Sequence, residues 1–147
     1  MPLTDMRSLF EVVLSTIGPD SLPQESLERL SLMFSEFVLV AALDYIDRDR
    51  VIRIVMPWGK SHYEVLGEHY SRTVSTNLPA PAVSVFCSCP TYADAVLLSG
   101  SHIMCKHALA VCIAQRMERC VERVATAEDA LAFFSRHHLG PRSDFTT

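Results

Sequence analysis

Two closely spaced pairs of metal-binding side chains hold the most specific chemistry in this sequence. Cys87 and Cys89 form the first pair, and Cys105 and His107 form the second pair after an interval of fifteen residues. Three thiolates and one imidazole can fill a tetrahedral zinc site, with about 2.3 Å to sulfur and about 2.0–2.1 Å to nitrogen. The spacing therefore predicts one structural zinc ion held by these four side chains.

The elements around the two pairs must aim all four side chains at one point. Residues 83–86 have the composition of a short strand, and side chains two apart on a strand share a face, so Cys87 and Cys89 can reach one ion. Inside a helix, residues two apart point about 200° away from each other. We therefore expect a helix to begin between Cys105 and His107, so that the zinc joins a strand end to a helix start.

Other uses of these cysteines compete with zinc binding. The chain has five cysteines and opens without a recognisable secretion signal, which disfavours a disulfide framework. A reduced cluster without metal and a Cys/His nucleophile–base pair are the remaining alternatives, but the pair lacks a third orienting group at a recognisable spacing. His102 is a competing ligand outside the paired spacing. Cys112 and Cys120 are predicted to be small buried hydrophobes.

Four protein ligands leave no coordination position for water or substrate. A catalytic zinc ion keeps such a position open, whereas a structural one does not. We therefore predict that the protein is not an enzyme.

Composition limits the class of protein. With 147 residues, 49% of them hydrophobic and 20% charged, the chain suffices for one packed domain. The formal net charge is −4 and there are only two lysines, whereas a stand-alone duplex-binding protein usually has a basic excess. The longest apolar run, residues 37–43, is far shorter than the roughly 18 residues of a membrane span. We expect a soluble protein in a reducing intracellular compartment.

The N-terminal third is predicted to be helical. Residues 5–17 place apolar side chains at spacings of three and four, which predicts an amphipathic helix. A second helix is predicted to begin at about Pro23 and to continue to Tyr45. From Phe37 onward this helix is apolar nearly all round. Such a helix is either the central helix of the core or is partly covered by a protein partner.

The remaining chain is predicted to form a sheet and three more helices. We expect strands over residues 51–55, 63–67, 72–75 and 83–86, a short helix over 90–98, a long helix over 106–124 and a closing helix capped by Thr126. The predicted fold class is α+β, a small antiparallel sheet flanked by helices. We expect one compact unit with three regions: helices (1–50), the zinc-binding region (51–125), and a closing helix with a polar tail (126–147).

Arginines offer a second functional hypothesis, direct binding of single- or double-stranded DNA. Three of them recur at helical spacing along the predicted long helix, and three more surround the first strand: Arg116, Arg119, Arg123, Arg48, Arg50 and Arg53. Such side chains can contact phosphates. Interleaved acidic residues are equally typical of a solvated, salt-bridged helix face.

The motif Cys-x-Cys followed by Cys-x-His resembles the SWIM zinc motif, which has one-residue gaps. The resemblance extends through residues 41–48, 63–67, 87–90 and 105–111. Over most of its length the chain is similar to the small SWIM-domain subunit of the Shu complex, in the zinc-finger SWIM-containing family. By motif position, this resemblance also implies that Cys87, Cys89, Cys105 and His107 are the zinc ligands.

The resemblance implies a nuclear, non-enzymatic protein that acts in homologous-recombination DNA repair and in meiosis. Such subunits form a heterodimer with a recombinase paralogue, and the complex helps the strand-exchange recombinase assemble on single-stranded DNA. DNA would then be reached through the complex, with no membrane partner. A third hypothesis, a thiol enzyme or redox switch that uses Cys87 and Cys89, belongs to a different functional class.

Overall fold

The computed structural model describes residues 3–76 and 85–135. Its α-helices are α1 (Leu3–Ser15), α2 (Gln24–Met33), α3 (Glu36–Asp47), α4 (Lys106–Met117) and α5 (Ala127–Phe134). Its strands are β1 (Val51–Val55), β2 (Ser61–Leu66), β3 (Ser71–Ser75), β4 (Phe86–Cys87) and β5 (Val121–Val124), and a π-helix covers Tyr92–Leu98. The observed class is α+β, as predicted.

The central element of the core is α4. Every residue from 108 to 114 is buried, because α1 and α3 cover one side of the helix and the sheet covers the other. Three of the seven residues in this stretch are alanines, and their small side chains allow neighbouring elements to approach closely. The other apolar helix, α3, buries Leu39, Ala42 and Ile46 but leaves Phe37 and Val40 largely exposed.

The sheet has the strand order β4-β3-β2-β1-β5. Strands β1 to β4 pair antiparallel, as predicted, whereas β5 lies parallel to β1. The predicted helix over 106–124 is wrong beyond Met117, because Glu118 adopts a left-handed conformation (φ 54°, ψ 39°) that ends the helix. The β-branched residues Val121 and Val124 then continue as the fifth strand, which makes the sheet mixed.

The single second helix predicted from Pro23 to Tyr45 is also wrong. Phe34 is extended (φ −126°, ψ 148°) and separates α2 from α3. Its ring packs edge-on against Phe10 of α1 with 5.5 Å between ring centroids. Ser35 then starts α3 as its N-cap, where its Oγ accepts a hydrogen bond from the Val38 N–H at 3.3 Å. A serine inside an apolar run therefore marks a helix start.

The shorter predicted elements mostly agree with the structure. The helix predicted over 90–98 is present as the π-helix, and the Thr126 cap is a full capping box with Asp129. Of the strand predicted over 83–86, residues 83 and 84 lie outside the described residues, as does the polar tail beyond 135. Within the described residues, no helix combines the length and hydrophobicity needed to cross a bilayer.

Replacing the Ser35 cap tests the break between α2 and α3. We expect Ser35→Ala to lower the free energy of unfolding by about 1 kcal/mol, because the first turn of α3 loses its side-chain acceptor. Ser31→Ala is the matched control: it alters an exposed serine inside α2 and should change stability by less than about 0.5 kcal/mol. Urea denaturation of both variants measures the difference. If Ser35→Ala were as stable as Ser31→Ala, Ser35 would not act as a helix cap.

Candidate metal centre

The four predicted ligands converge at the joint between the sheet and the central helix. Cys87 ends β4, Cys89 lies two residues further on, Cys105 is the residue before α4, and His107 lies in the first turn of α4. Their ligand atoms all lie within 4.8 Å of one another. A tetrahedral site with bonds of about 2.3 Å separates its ligand atoms by about 3.8 Å, so the observed cluster has nearly the required size.

Backbone pairing with β3 fixes the first pair of ligands. The Ser88 N–H donates to the Thr73 carbonyl at 3.0 Å, and the Thr73 N–H donates to the Ser88 Oγ at 3.0 Å. Ser88 therefore faces β3 while the cysteines on either side of it face the core. The Cys89 Sγ also accepts a hydrogen bond from the Tyr92 N–H at 3.3 Å.

The second pair of ligands depends on the start of α4. Cys105 is the N-cap of this helix, and its Sγ accepts a hydrogen bond from the Ala108 N–H at 3.4 Å. The positive end of the helix dipole favours a thiolate at this position. The prediction that the helix begins between Cys105 and His107 is confirmed, because the first helical residue is Lys106.

His107 adds an imidazole whose ring packs on α3. Its ring centroid lies 5.6 Å from that of Tyr45. The Nδ1 atom of His107 is buried and has no hydrogen-bond partner among the described residues. A buried polar atom without a hydrogen-bond partner destabilises a fold by about 1–3 kcal/mol. A metal ion bound to Nδ1 of His107 would remove this cost. Three thiols and an imidazole are a donor set that fits zinc.

The three thiols strongly perturb one another. Hydrogen bonds from Cys105 and Cys87 lower the pKa of Cys89 far below its ordinary value. Hydrogen bonds with Cys105 and Cys89, together with burial, raise the pKa of Cys87. At Cys105 the bond with Cys87 lowers the pKa, but the bond with Cys89 and burial raise it to about 11 overall. One thiolate with two protonated thiols is therefore the favoured state of these side chains by themselves.

Other candidate ligands lie away from the cluster. His102 is exposed, and its Nδ1 lies 3.0 Å from the Ser101 Oγ. Cys112 is buried and Cys120 half-buried, and neither belongs to the cluster. Burial raises the pKa of Cys112 to about 12 and, despite the opposing charge of Arg53, that of Cys120 to about 11. The prediction that these two cysteines serve as small buried side chains is consistent with these surroundings.

Tyr92 is a supporting residue that sequence reasoning did not identify. Its hydroxyl donates to the Val85 carbonyl just before β4, and its backbone N–H donates to the Cys89 thiol. The side chain is buried and packs edge-on against Phe86. Through Tyr92, the π-helix therefore contacts the chain on both sides of Cys87: at Val85 before it and at Cys89 after it.

The arginines proposed as phosphate contacts mostly have partners within the chain. Because α4 ends at Met117, Arg119 and Arg123 do not share a helix face with Arg116. Arg116 donates to the carbonyls of Leu14 at 2.9 Å and Ser15 at 3.2 Å. Arg50 donates a hydrogen bond to the Leu66 carbonyl. Three further arginines form ion pairs: Arg48 with Asp44, Arg53 with Glu122 and Arg119 with Asp49. The predicted row of arginines on one helix is thus absent.

Comparison with known proteins gives the family. Human zinc finger SWIM domain-containing protein 7 is 36% identical over 120 residues, which cover 82% of this chain and 81% of the human protein. This chain belongs to that family. The proteins of the same name from Mus musculus (35% over 99 residues, 67% of this chain and 61% of the relative) and Danio rerio (29% over 118 residues, 78% of each) are also similar. No protein-family model and no solved structure matched the chain. The family resemblance inferred from the motif is confirmed.

Removal of one ligand tests the metal centre. We expect Cys105→Ser to abolish stoichiometric zinc binding and to lower the melting temperature by more than about 10 °C, because structural zinc contributes directly to folding. Cys120→Ser is the matched control, since Cys120 lies outside the cluster. Native mass spectrometry and thermal unfolding measure both variants. Full zinc occupancy in Cys105→Ser would contradict the assignment of this ligand.

Proton release on metal binding tests the unequal thiols. Zinc requires all three as thiolates, and the pKa values of Cys87 and Cys105 are raised while that of Cys89 is lowered. At pH 7 we therefore expect about two protons to leave per zinc bound, and zinc occupancy to fall as the pH falls. Calorimetric titration in buffers of different ionisation enthalpy measures the number. Release of no protons would contradict the described protonation states.

Proposed function

We propose that this protein is a non-enzymatic adaptor whose fold is stabilised by one structural zinc ion. In this proposal it pairs with a recombinase paralogue in the nucleus and promotes assembly of the strand-exchange recombinase on single-stranded DNA. Its role would then lie in homologous-recombination repair, including meiosis. The observation that carries the proposal is membership of the zinc finger SWIM domain-containing protein 7 family, together with the converged cluster at the motif positions.

The ligand set supports a structural role for the metal. Cys87, Cys89, Cys105 and His107 would together fill a tetrahedral zinc site and would leave no position for a reacting water molecule. The three cysteines are buried, so a substrate would have little access to them. The cluster joins β4 to α4, and the metal would therefore hold the sheet against the central helix.

Charge supports an adaptor rather than an independent DNA-binding module. The net charge of −4 gives no long-range attraction for phosphates. Five of the six arginines that could contact DNA already bind carbonyls or carboxylates of this chain. A phosphate would have to compete with those intramolecular contacts. In this proposal, therefore, DNA is bound by the complex with the recombinase paralogue and not by this chain alone.

Two exposed apolar surfaces offer sites for a protein partner. Phe37 and Val40 of α3 are 72% and 57% exposed, and Val121 and Val124 of β5 are 41% and 69% exposed. Clustered apolar side chains at a surface commonly mark protein contacts. Val38, by contrast, is half-buried against the core. A charge at Val38 would therefore disturb folding, whereas a charge at Val40 changes mainly the surface.

Co-expression tests the proposed function. We expect the chain and a recombinase paralogue to purify as a 1:1 complex with one zinc ion per copy of this chain, as measured by native mass spectrometry. The Cys105→Ser variant should lose both zinc and partner, because the fold on which the interface depends is lost. Salt-dependent binding of single-stranded DNA by the chain alone, with no complex, would instead favour a direct DNA-binding module.

A further inference from the structure

Strand β5 forms one edge of the sheet, and all four of its residues are exposed. An edge strand presents unpaired N–H and C=O groups along its outer side, which can pair with a strand of another chain. Natural proteins usually protect such an edge with a bulge, a proline or a covering element. Within the described residues, β5 has no neighbouring strand on its outer side.

The pairing with β1 shows which backbone groups point outward. The Ala125 N–H donates to the Val55 carbonyl at 2.9 Å, so Ala125 faces β1. Backbone groups alternate in direction along a strand, which places Arg123 on the β1 side as well. Glu122 and Val124 therefore direct their N–H and C=O groups away from the sheet. The next outward group, the Thr126 N–H, already donates to the Asp129 carboxylate at 2.9 Å.

The charges of β5 disfavour pairing with a second copy of this chain. Outward residues must face outward residues, so a symmetric antiparallel pair places one residue opposite itself. Four such registers centre on a residue of β5. Two of them set Glu122 against Glu122 or Arg123 against Arg123, and like charges directly opposite are destabilising. The register centred on Val124 would need the Thr126 N–H, which already has a partner. The register centred on Val121 would set Val124 against Glu118, which is left-handed and not extended.

These features favour a strand of different sequence. In an antiparallel pair centred on this edge, Arg123 occupies a non-hydrogen-bonded position, where opposing side chains are closest. An acidic side chain opposite Arg123 would form a cross-strand ion pair, and apolar side chains would cover Val121 and Val124. Glu122 already has an opposite charge nearby, because Arg53 of β1 lies 3.2 Å from its carboxylate.

Given the proposed partnership, on which this inference rests, we propose that the protein partner adds an antiparallel strand to the outer edge of β5. The added strand carries an acidic residue opposite Arg123 and apolar residues opposite Val121 and Val124. Main-chain hydrogen bonds to Glu122 and Val124 supply the pairing, and the side-chain pattern supplies the selectivity. The sheet thereby becomes continuous between the two proteins.

Two variants of β5 test this edge in the full-length complex. Val124→Pro removes an outward N–H and obstructs the edge but retains the hydrogen bonds to β1. We expect it to weaken partner binding at least tenfold. Arg123→Glu places an acid opposite the partner's acid and should weaken binding several-fold. If Val124→Pro also lowers the melting temperature, the partner affinity of Arg123→Glu alone decides whether the partner binds this edge. Leu32→Glu on α2 is the matched control: Leu32 is exposed and lies outside both apolar surfaces, so this variant should bind as the wild type does. Val40→Glu tests the α3 surface separately.

Amide hydrogen exchange of the full-length chain gives a residue-specific second measurement. In the free chain we expect the Arg123 and Ala125 amides to be protected and those of Glu122 and Val124 to exchange rapidly. Complex formation should protect Glu122 and Val124. Protection of these two amides already in the free chain would overturn the inference, because the edge would be covered by the chain itself.

The binding results separate this inference from the proposed function. A complex that tolerates both Val124→Pro and Arg123→Glu but is lost in Val40→Glu would overturn the edge inference and place the interface on α3, while the adaptor function would stand. Failure of the wild-type chain to bind any recombinase paralogue would overturn the proposed function and, with it, the assigned occupant of this edge.

Discussion

The convergence of four side chains at the first turn of α4 is the constraint on which the rest of the structure depends. Cys105 is both a candidate ligand and the N-cap of that helix, and His107 follows within the first turn. The two cysteines at the end of β4 fix where this turn must lie relative to the sheet. Since α4 is buried between the other helices and the sheet, its starting point determines where its buried residues, 108–114 and Met117, lie in the larger core cluster.

Neighbouring elements reinforce this junction through short, specific contacts. Ser88 binds β3 on one side while Cys87 and Cys89 face the core on the other. Tyr92 joins the π-helix to the carbonyl that precedes β4, and Tyr45 packs α3 against the His107 ring. The three cysteines of the candidate metal site are therefore part of the hydrophobic core. Mutual hydrogen bonds and burial at this position raise the pKa values of Cys87 and Cys105.

The candidate site was more predictable from the sequence than the fold was. Ligand type and one-residue spacing restrict the possible geometry strongly, so Cys87, Cys89, Cys105 and His107 can be recognised without knowledge of the surrounding elements. The errors occurred where local patterns were ambiguous. Glu118 ends α4 in a left-handed conformation that seldom occurs in residues other than glycine and asparagine, and Ser35 interrupts a run that otherwise appears helical. The parallel pairing of β5 depends on distant β1, which no local pattern reports.

The double role of Cys105 links metal chemistry to the nucleation of the central helix. A helix is costly to start, and its first turn is the slowest part to form. Here the sulfur that accepts the Ala108 amide is also a sulfur available to the metal. Binding of a metal ion at these ligands would therefore be coupled to the start of the central helix. The concentration of folded protein in a cell would then depend on the supply of that metal.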